Sequence, residues 1–89
     1  MAGYSVGIKR SAGRELDELS RKDRRRVVER IRALVVDPRP RGCEKLSGEE
    51  KYRIRQGDLR ILYEVNDPLA AVTIVKIGHR RDVYRQEHR

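Results

Sequence analysis

The sequence has little of what staples, anchors or exports a chain. Its single cysteine, Cys43, cannot form an internal disulfide, and a cysteine-clustered zinc module is excluded with it. No apolar run approaches the roughly 18 residues or more that a membrane-spanning helix needs. Residues 1–15 lack the apolar stretch of a secretory signal. These absences argue against a transmembrane protein and a disulfide-stapled secreted domain, and the expected setting is a reducing cytoplasm. No repeat, low-complexity tract or linker breaks the chain. Its 89 residues leave room for one core, so 1–89 is read as a single domain.

Positive charge is what the sequence has in excess. Lysine and arginine number 22 against 14 aspartates and glutamates, a formal net charge of +8. Charged residues are 40% of the chain, against about 25% in ordinary domains. That composition would suit disorder, but the apolar residues are clustered and periodic, which favours a small folded domain. A surface of this sign attracts polyanions. Nucleic acid is the first candidate, an anionic membrane surface the second and an acidic protein the third.

Tyr4, Val6 and Ile8 alternate with polar or small residues and predict a short strand. Ser11 stands before a helical stripe of Ala12, Leu16 and Leu19 as its expected N-cap. Ser20 ends that helix and caps a second, whose stripe is Val27, Val28, Ile31, Leu34 and Val35. The segment Asp37-Pro38-Arg39-Pro40-Arg41-Gly42 stops it. The short break suggests an antiparallel helix pair.

After Gly42 the period changes to two. Tyr52 and Ile54 alternate with Arg53 and Arg55, and Ile61, Tyr63 and Val65 with Arg60, Leu62 and Glu64. Val72 to Ile77 is more evenly apolar and suits a central strand. Residues 79–89 form a polar tail or a short helix. The order β-α-α-β-β-β predicts an α+β domain, two N-terminal helices on one face of a mostly antiparallel sheet.

The periodicity also locates charge. A two-residue turn at Gly57-Asp58 pairs Gln56 with Leu59, Ile54 with Ile61 and Arg55 with Arg60. The isoleucines then face the helices, and Arg55 and Arg60 share the other face with Arg53. Like charges directly opposed across strands are destabilising, and such a cost persists most easily where an anion binds. A guanidinium fork matches phosphate oxygens, so the open face is a candidate phosphate site. The alternative is a solvated face on which the arginines splay apart. His79, Arg80 and Arg81 follow the neighbouring strand and are expected to converge on the same surface.

Three segments carry a resemblance: Glu44-Lys45-Leu46-Ser47-Gly48, Tyr52 to Val65, and Ile77-Gly78-His79-Arg80-Arg81-Asp82-Val83-Tyr84. They resemble the RelE family of toxin–antitoxin ribonucleases, and the element order of the RelE/ParE superfamily matches nearly the whole chain. The resemblance implies a ribosome-dependent mRNA interferase, cutting mRNA in the ribosomal A site and neutralised by a small RelB-like antitoxin. The implied reaction is transphosphorylation with neither metal nor cofactor. The ribose 2′-OH attacks the adjacent phosphate and the 5′-oxygen leaves.

By resemblance, Arg53 and Arg55 lie at the scissile phosphate, Arg60 positions substrate, Arg80 stabilises the transition state, and Tyr84 stacks on or orients the nucleotide. Arg81 is assigned to substrate binding. Well-characterised members carry lysine where this chain has Arg53 and Arg55. Arginine is effectively always charged, so His79, whose ordinary pKa is near neutral, becomes the candidate for proton transfer.

Two other classes stay open: a ParE-like toxin that poisons DNA gyrase without a nuclease site, and a degenerate RNA- or ribosome-binding relative. Outside the site, Tyr52 and Tyr63 are read as core, Cys43 as structural, Glu49 and Glu50 as solvated turn residues, and His88 as surface. Lys22, Arg24, Arg25, Arg26, Arg30 and Arg32 are either a solvated helix face or a contact for ribosomal RNA phosphates.

Overall fold

The computed structural model describes residues 3–46 and 50–79. The chain runs β1 (Ser5–Ile8), α1 (Arg10–Asp17), α2 (Arg21–Ala33), β2 (Glu44–Lys45), β3 (Lys51–Gln56), β4 (Leu59–Asn66) and β5 (Ala71–His79). The strands form one sheet in the order β1-β5-β4-β3-β2. β1 runs parallel to β5 and every other pair is antiparallel. The α+β class and the helix pair are as the sequence predicts. The additional element is β2, whose two residues are too few to show a period. The expected tail or helix at 80–89 lies outside the described residues. Among those described, no helix is long and apolar enough to cross a membrane.

The topology explains why the helices cover one face. β1 and β2 are opposite edges, so the helix pair carries the chain from one edge of the sheet to the other. Ala12, Val27, Ile31 and Leu34 pack there against Ile54, Ile61, Tyr63, Val65, Val72, Ile74 and Ile77. The start of β1 is tied to the end of α2 by Tyr4 N–H donating to Val35 O at 2.8 Å. A Cβ on Gly3 would meet that same oxygen at 2.8 Å, so this approach needs glycine.

Ser20 caps α2, its Oγ accepting from Asp23 N–H at 3.2 Å. Ser11 does not cap α1. Lys9 still donates to Ile74 O at 3.0 Å as the chain leaves β1, and its own carbonyl accepts from Gly13 N–H. The helix therefore starts at Arg10 with Lys9 as N-cap and no side-chain cap, and Ser11 falls inside the first turn. α1 instead protects an edge. Beyond Ile74, β5 has no β1 partner, and Glu15 fills the gap: it accepts from Ile77 N–H at 2.9 Å and from Lys76 Nζ at 2.8 Å.

Strict alternation fails once, on β5. Tyr63 pairs with Ile74 but Leu62 pairs with Lys76, so Val75 is the extra residue of a bulge. Ile77 thereby returns to the helix face with Val72 and Ile74, and every side chain after the bulge changes side relative to an unbulged strand.

The connector after α2 is anchored by Arg39. Its guanidinium donates to Tyr52 Oη at 2.8 Å, Glu50 at 2.9 Å and Asp67 at 2.8 Å, and lies 5.1 Å from the Tyr52 ring centre. Tyr52 also donates to Glu50, and Tyr4 donates to Asp67 at 2.7 Å. Tyr52 stacks on Tyr63 at 5.7 Å, and Tyr63 donates to Pro38 O at 2.8 Å. Both tyrosines are core residues, as their alternation predicts. Glu50, expected to be a solvated turn residue, is a hub of this network. Glu49 lies outside the described residues.

Lys45, Arg39 and Tyr52 hold the Glu50 carboxyl down to about 2, from an ordinary 4.5. The folded value lies below the unfolded one, so the stabilisation is complete above about pH 4.5 and is lost as pH falls towards 2. Asp67 is lowered by Arg39 and Tyr4 in the same sense. Urea midpoints measured across that range will fall for wild type. They will fall less steeply for Glu50→Gln, with Asp67 supplying the remaining acid sensitivity.

Candidate functional site

The candidate site is built on the β3–β4 hairpin. Gly57 has φ +61, a conformation glycine adopts without cost, and Gly57-Asp58 is the turn. The register is Gln56 with Leu59, Arg55 with Arg60, Ile54 with Ile61 and Arg53 with Leu62, as the turn dipeptide predicts. Ile54 and Ile61 are buried on the helix face at 1% and 0% exposure. Their neighbours Arg53, Arg55 and Arg60 therefore project together from the other face.

The three arginines sit differently. Arg55 is exposed and Arg53 is half-buried. Arg60 is buried, the one charged residue to be so among the described residues. Its Nη1 donates to Leu59 O at 3.1 Å and reaches towards Gly57 O at 3.4 Å, which folds the guanidinium over the turn. Leu62, the cross-strand partner of Arg53, is buried on the same face.

Among the described residues two carboxylates lie on this face: Glu64, opposite Lys51, and Glu44, which meets an arginine. Glu44 on β2 is the cross-strand partner of Arg53. Arg53 donates to Glu44 Oε1 from Nε at 3.1 Å and also from Nη2. The Arg53 hydrogen bond and charge hold the Glu44 carboxyl below its ordinary range, and Arg55 and Arg60 add smaller pulls in the same direction. Three guanidiniums are thus within electrostatic reach of one anion. Glu44 was not singled out as a site residue from the sequence, because a two-residue strand carries no period to show what it faces.

His79 pairs with Leu59, whereas Arg60 pairs with Gly78. Leu59 is buried in the core, so the pleat sets His79 on the helix side, at the exposed end of β5. An unbulged β5 would have set it beside the arginines, and the extra Val75 reverses its side. Arg80, Arg81 and Tyr84 lie outside the described residues.

The basic helix splits into two groups. Arg24 donates to Asp17 O and Arg30 to Arg55 O, both at 3.3 Å. Arg21, Lys22, Arg25 and Arg26 are exposed together near the start of α2. A groove of about 480 Å³ lies elsewhere, lined by Glu50, Glu64, Asn66, Asp67, Leu69 and Thr73. Its acidic lining has the wrong sign for a phosphate, so the arginine surface is the better candidate.

Fixed guanidiniums suit a phosphate whose charge grows during reaction, because they bind in bidentate fashion and need no reorganisation. None of them can serve as a base near neutral pH.

The family model described as the ParE toxin of type II toxin–antitoxin systems, parDE, matches residues 6–84. Among solved structures, the chain is similar to one from the toxin–antitoxin complex RelBE2 of Mycobacterium tuberculosis. Identity is 30% over 90% of this chain and 94% of that one, with a TM-score of 0.77. A chain of the archaeal RelE–RelB complex from Pyrococcus horikoshii OT3 is also 30% identical, over 88% of this chain and 96% of that one, at a TM-score of 0.77. A mutant of the Escherichia coli toxin RelE in the free state shares the fold at a TM-score of 0.78, with 23% identity over 96% of this chain and 93% of that one. No curated protein sequence matches the chain.

The opposed pair makes a prediction of its own. Arg55→Gln removes a like-charge contact from an exposed position, so its urea midpoint will equal or exceed that of wild type. Its binding to a single-stranded polyanion will weaken. The slope of log K against log salt will fall by roughly 0.7 if Arg55 neutralises one phosphate.

Proposed function

The chain belongs to the RelE/ParE superfamily of toxins of type II toxin–antitoxin systems, and from that premise we propose that it is a ribosome-dependent endoribonuclease acting on mRNA in the A site. The observation that carries this reading is the grouping of Arg53, Arg55 and Arg60 on one sheet face, all three acting on the Glu44 carboxylate. A toxin acting by protein contact alone has no chemical need of an opposed arginine pair with a third guanidinium beside it.

The proposed reaction is in-line transphosphorylation. The 2′-oxygen forms a bond to phosphorus as the 5′-oxygen bond breaks, leaving a 2′,3′-cyclic phosphate and a 5′-hydroxyl. A proton leaves the 2′-OH and one reaches the 5′-oxygen. Arg53 and Arg55 bind the scissile phosphate, and Arg60, braced on the turn carbonyls, orients it. Arg80 neutralises charge that develops in the transition state, Arg81 contacts substrate and Tyr84 stacks on the nucleotide. The positive charge that the reaction needs comes from the protein's own guanidiniums.

The proton-transfer role assigned to His79 requires its imidazole to act from the strand end, since β5 turns it away from Arg60. Two of the similar chains come from complexes with an antitoxin, which supports a RelB-like antitoxin as the partner of this toxin in the cytoplasm. The exposed Arg21, Lys22, Arg25 and Arg26 suit ribosomal RNA phosphates.

A second reading is favoured by the matching family model, which is that of a ParE toxin. In that reading the target is DNA gyrase and the arginines only bind. Cleavage of a defined mRNA on programmed 70S ribosomes, with naked mRNA as control, separates the two. The expected result is ribosome-dependent cutting, slowed by about 10²- to 10³-fold in Arg80→Ala. His79→Ala at the wild-type rate removes His79 from the mechanism. Absent cleavage with intact ribosome binding indicates a degenerate relative, and absence of both favours gyrase.

A further inference from the structure

Glu44 is an anion already seated where the proposed substrate's phosphate would go. Its carboxylate takes two donors from one guanidinium of the surface, and the other two arginines pull on it electrostatically. We propose that Glu44 is an intramolecular competitor for the phosphate, occupying Arg53 in the resting toxin and swinging off it when RNA binds. The inference rests on the RNA-cleaving reading only for the identity of the incoming anion.

Three observations support a displaceable role. The Arg53 side chain is only 16% exposed and that of Glu44 is 50% exposed, so the arginine is fixed by its surroundings and the glutamate is the partner free to leave. Glu44 stands on a two-residue edge strand, where its side chain can turn into solvent without breaking the sheet. A carboxylate and a phosphodiester present similar oxygen pairs to a guanidinium fork, so one can replace the other without moving Arg53.

Charge gives the exchange its direction. Glu44 brings a single charge to Arg53, whereas an RNA strand brings several phosphates to the same sheet face, where Arg55 is exposed beside it. A partly exposed pair of this kind is a weak competitor. It quenches the surface when the toxin is free and yields when a polyanion arrives. A proton-accepting role is less well suited, because the arginine that lowers the carboxyl's pKa also weakens it as a base.

The test is a binding titration of the full chain with a short 2′-O-methyl RNA, which cannot be cleaved, followed by fluorescence anisotropy at several salt concentrations. Glu44→Gln is expected to bind about 2- to 5-fold tighter than wild type, with the gain fading as salt screens it. Glu18→Gln makes the same change in net charge at the end of α1 and is expected to change affinity by less than about 1.5-fold. Glu44→Asp keeps the charge but shortens its reach, and will also bind tighter. It carries the test if Glu44→Gln fails to fold.

Equal affinity of wild type and both Glu44 variants, including equal absence of binding, overturns the proposal. So does a gain matched by Glu18→Gln. Loss of ribosomal cleavage in Glu44→Gln at unchanged affinity overturns it in favour of a base. If wild type binds RNA but cuts nothing on the ribosome, the nuclease reading fails while the competition result stands.

Discussion

Two arginines held opposite one another across a hairpin are the constraint on which the rest of the structure turns. Like charges in that position cost some tenths of a kcal/mol up to about 1. The same register buries Ile54 and Ile61, and each buried isoleucine contributes about 1.5–3 kcal/mol. The apolar face therefore wins and fixes the charged face. A slip by one residue would expose the isoleucines and bury Arg55. The functional surface is thus held by the core behind it, and the repulsion is kept on the side where an anion can offset it.

The two ends of the sheet resolve their charges in opposite ways. Near the β4–β5 turn, Arg39 meets Asp67, Glu50 and Tyr52 Oη together, and the connector, β1 and β3 are joined through it. That end is balanced, and its carboxylates are lowered by the contact. At the β3–β4 turn three guanidiniums share the influence of Glu44. One end ties the connector to the sheet, and the other gathers positive charge on one face.

What could be read from the sequence follows from how far each signal reaches along the chain. The hairpin register was legible because a turn dipeptide and a period of two are local, and together they specify every pair from Gln56–Leu59 back to Arg53–Leu62. The cap at Ser20 is equally local. Three features were not legible. β2 is too short for a period. The start of α1 is set by Lys9 bonding to Ile74, 65 residues along the chain. The bulge at Val75 inserts one residue among apolar neighbours that look alike on either side. That last feature matters most, because His79, expected to converge on the arginine surface as it follows β5, stands on the other face.

The bulge also gives the residues after it their meaning. Glu15 meets Ile77 N–H and Lys76 just past the point where β1 ends, so the edge of β5 is closed by a helix side chain there. Without the extra residue, Ile77 would leave the core and Arg60 would no longer pair with Gly78. Glycine at that position places no side chain of β5 directly opposite Arg60. A single inserted residue on an interior strand thus serves the core and the arginine surface at once. It does so through β4, the strand that carries Ile61 on one face and Arg60 on the other.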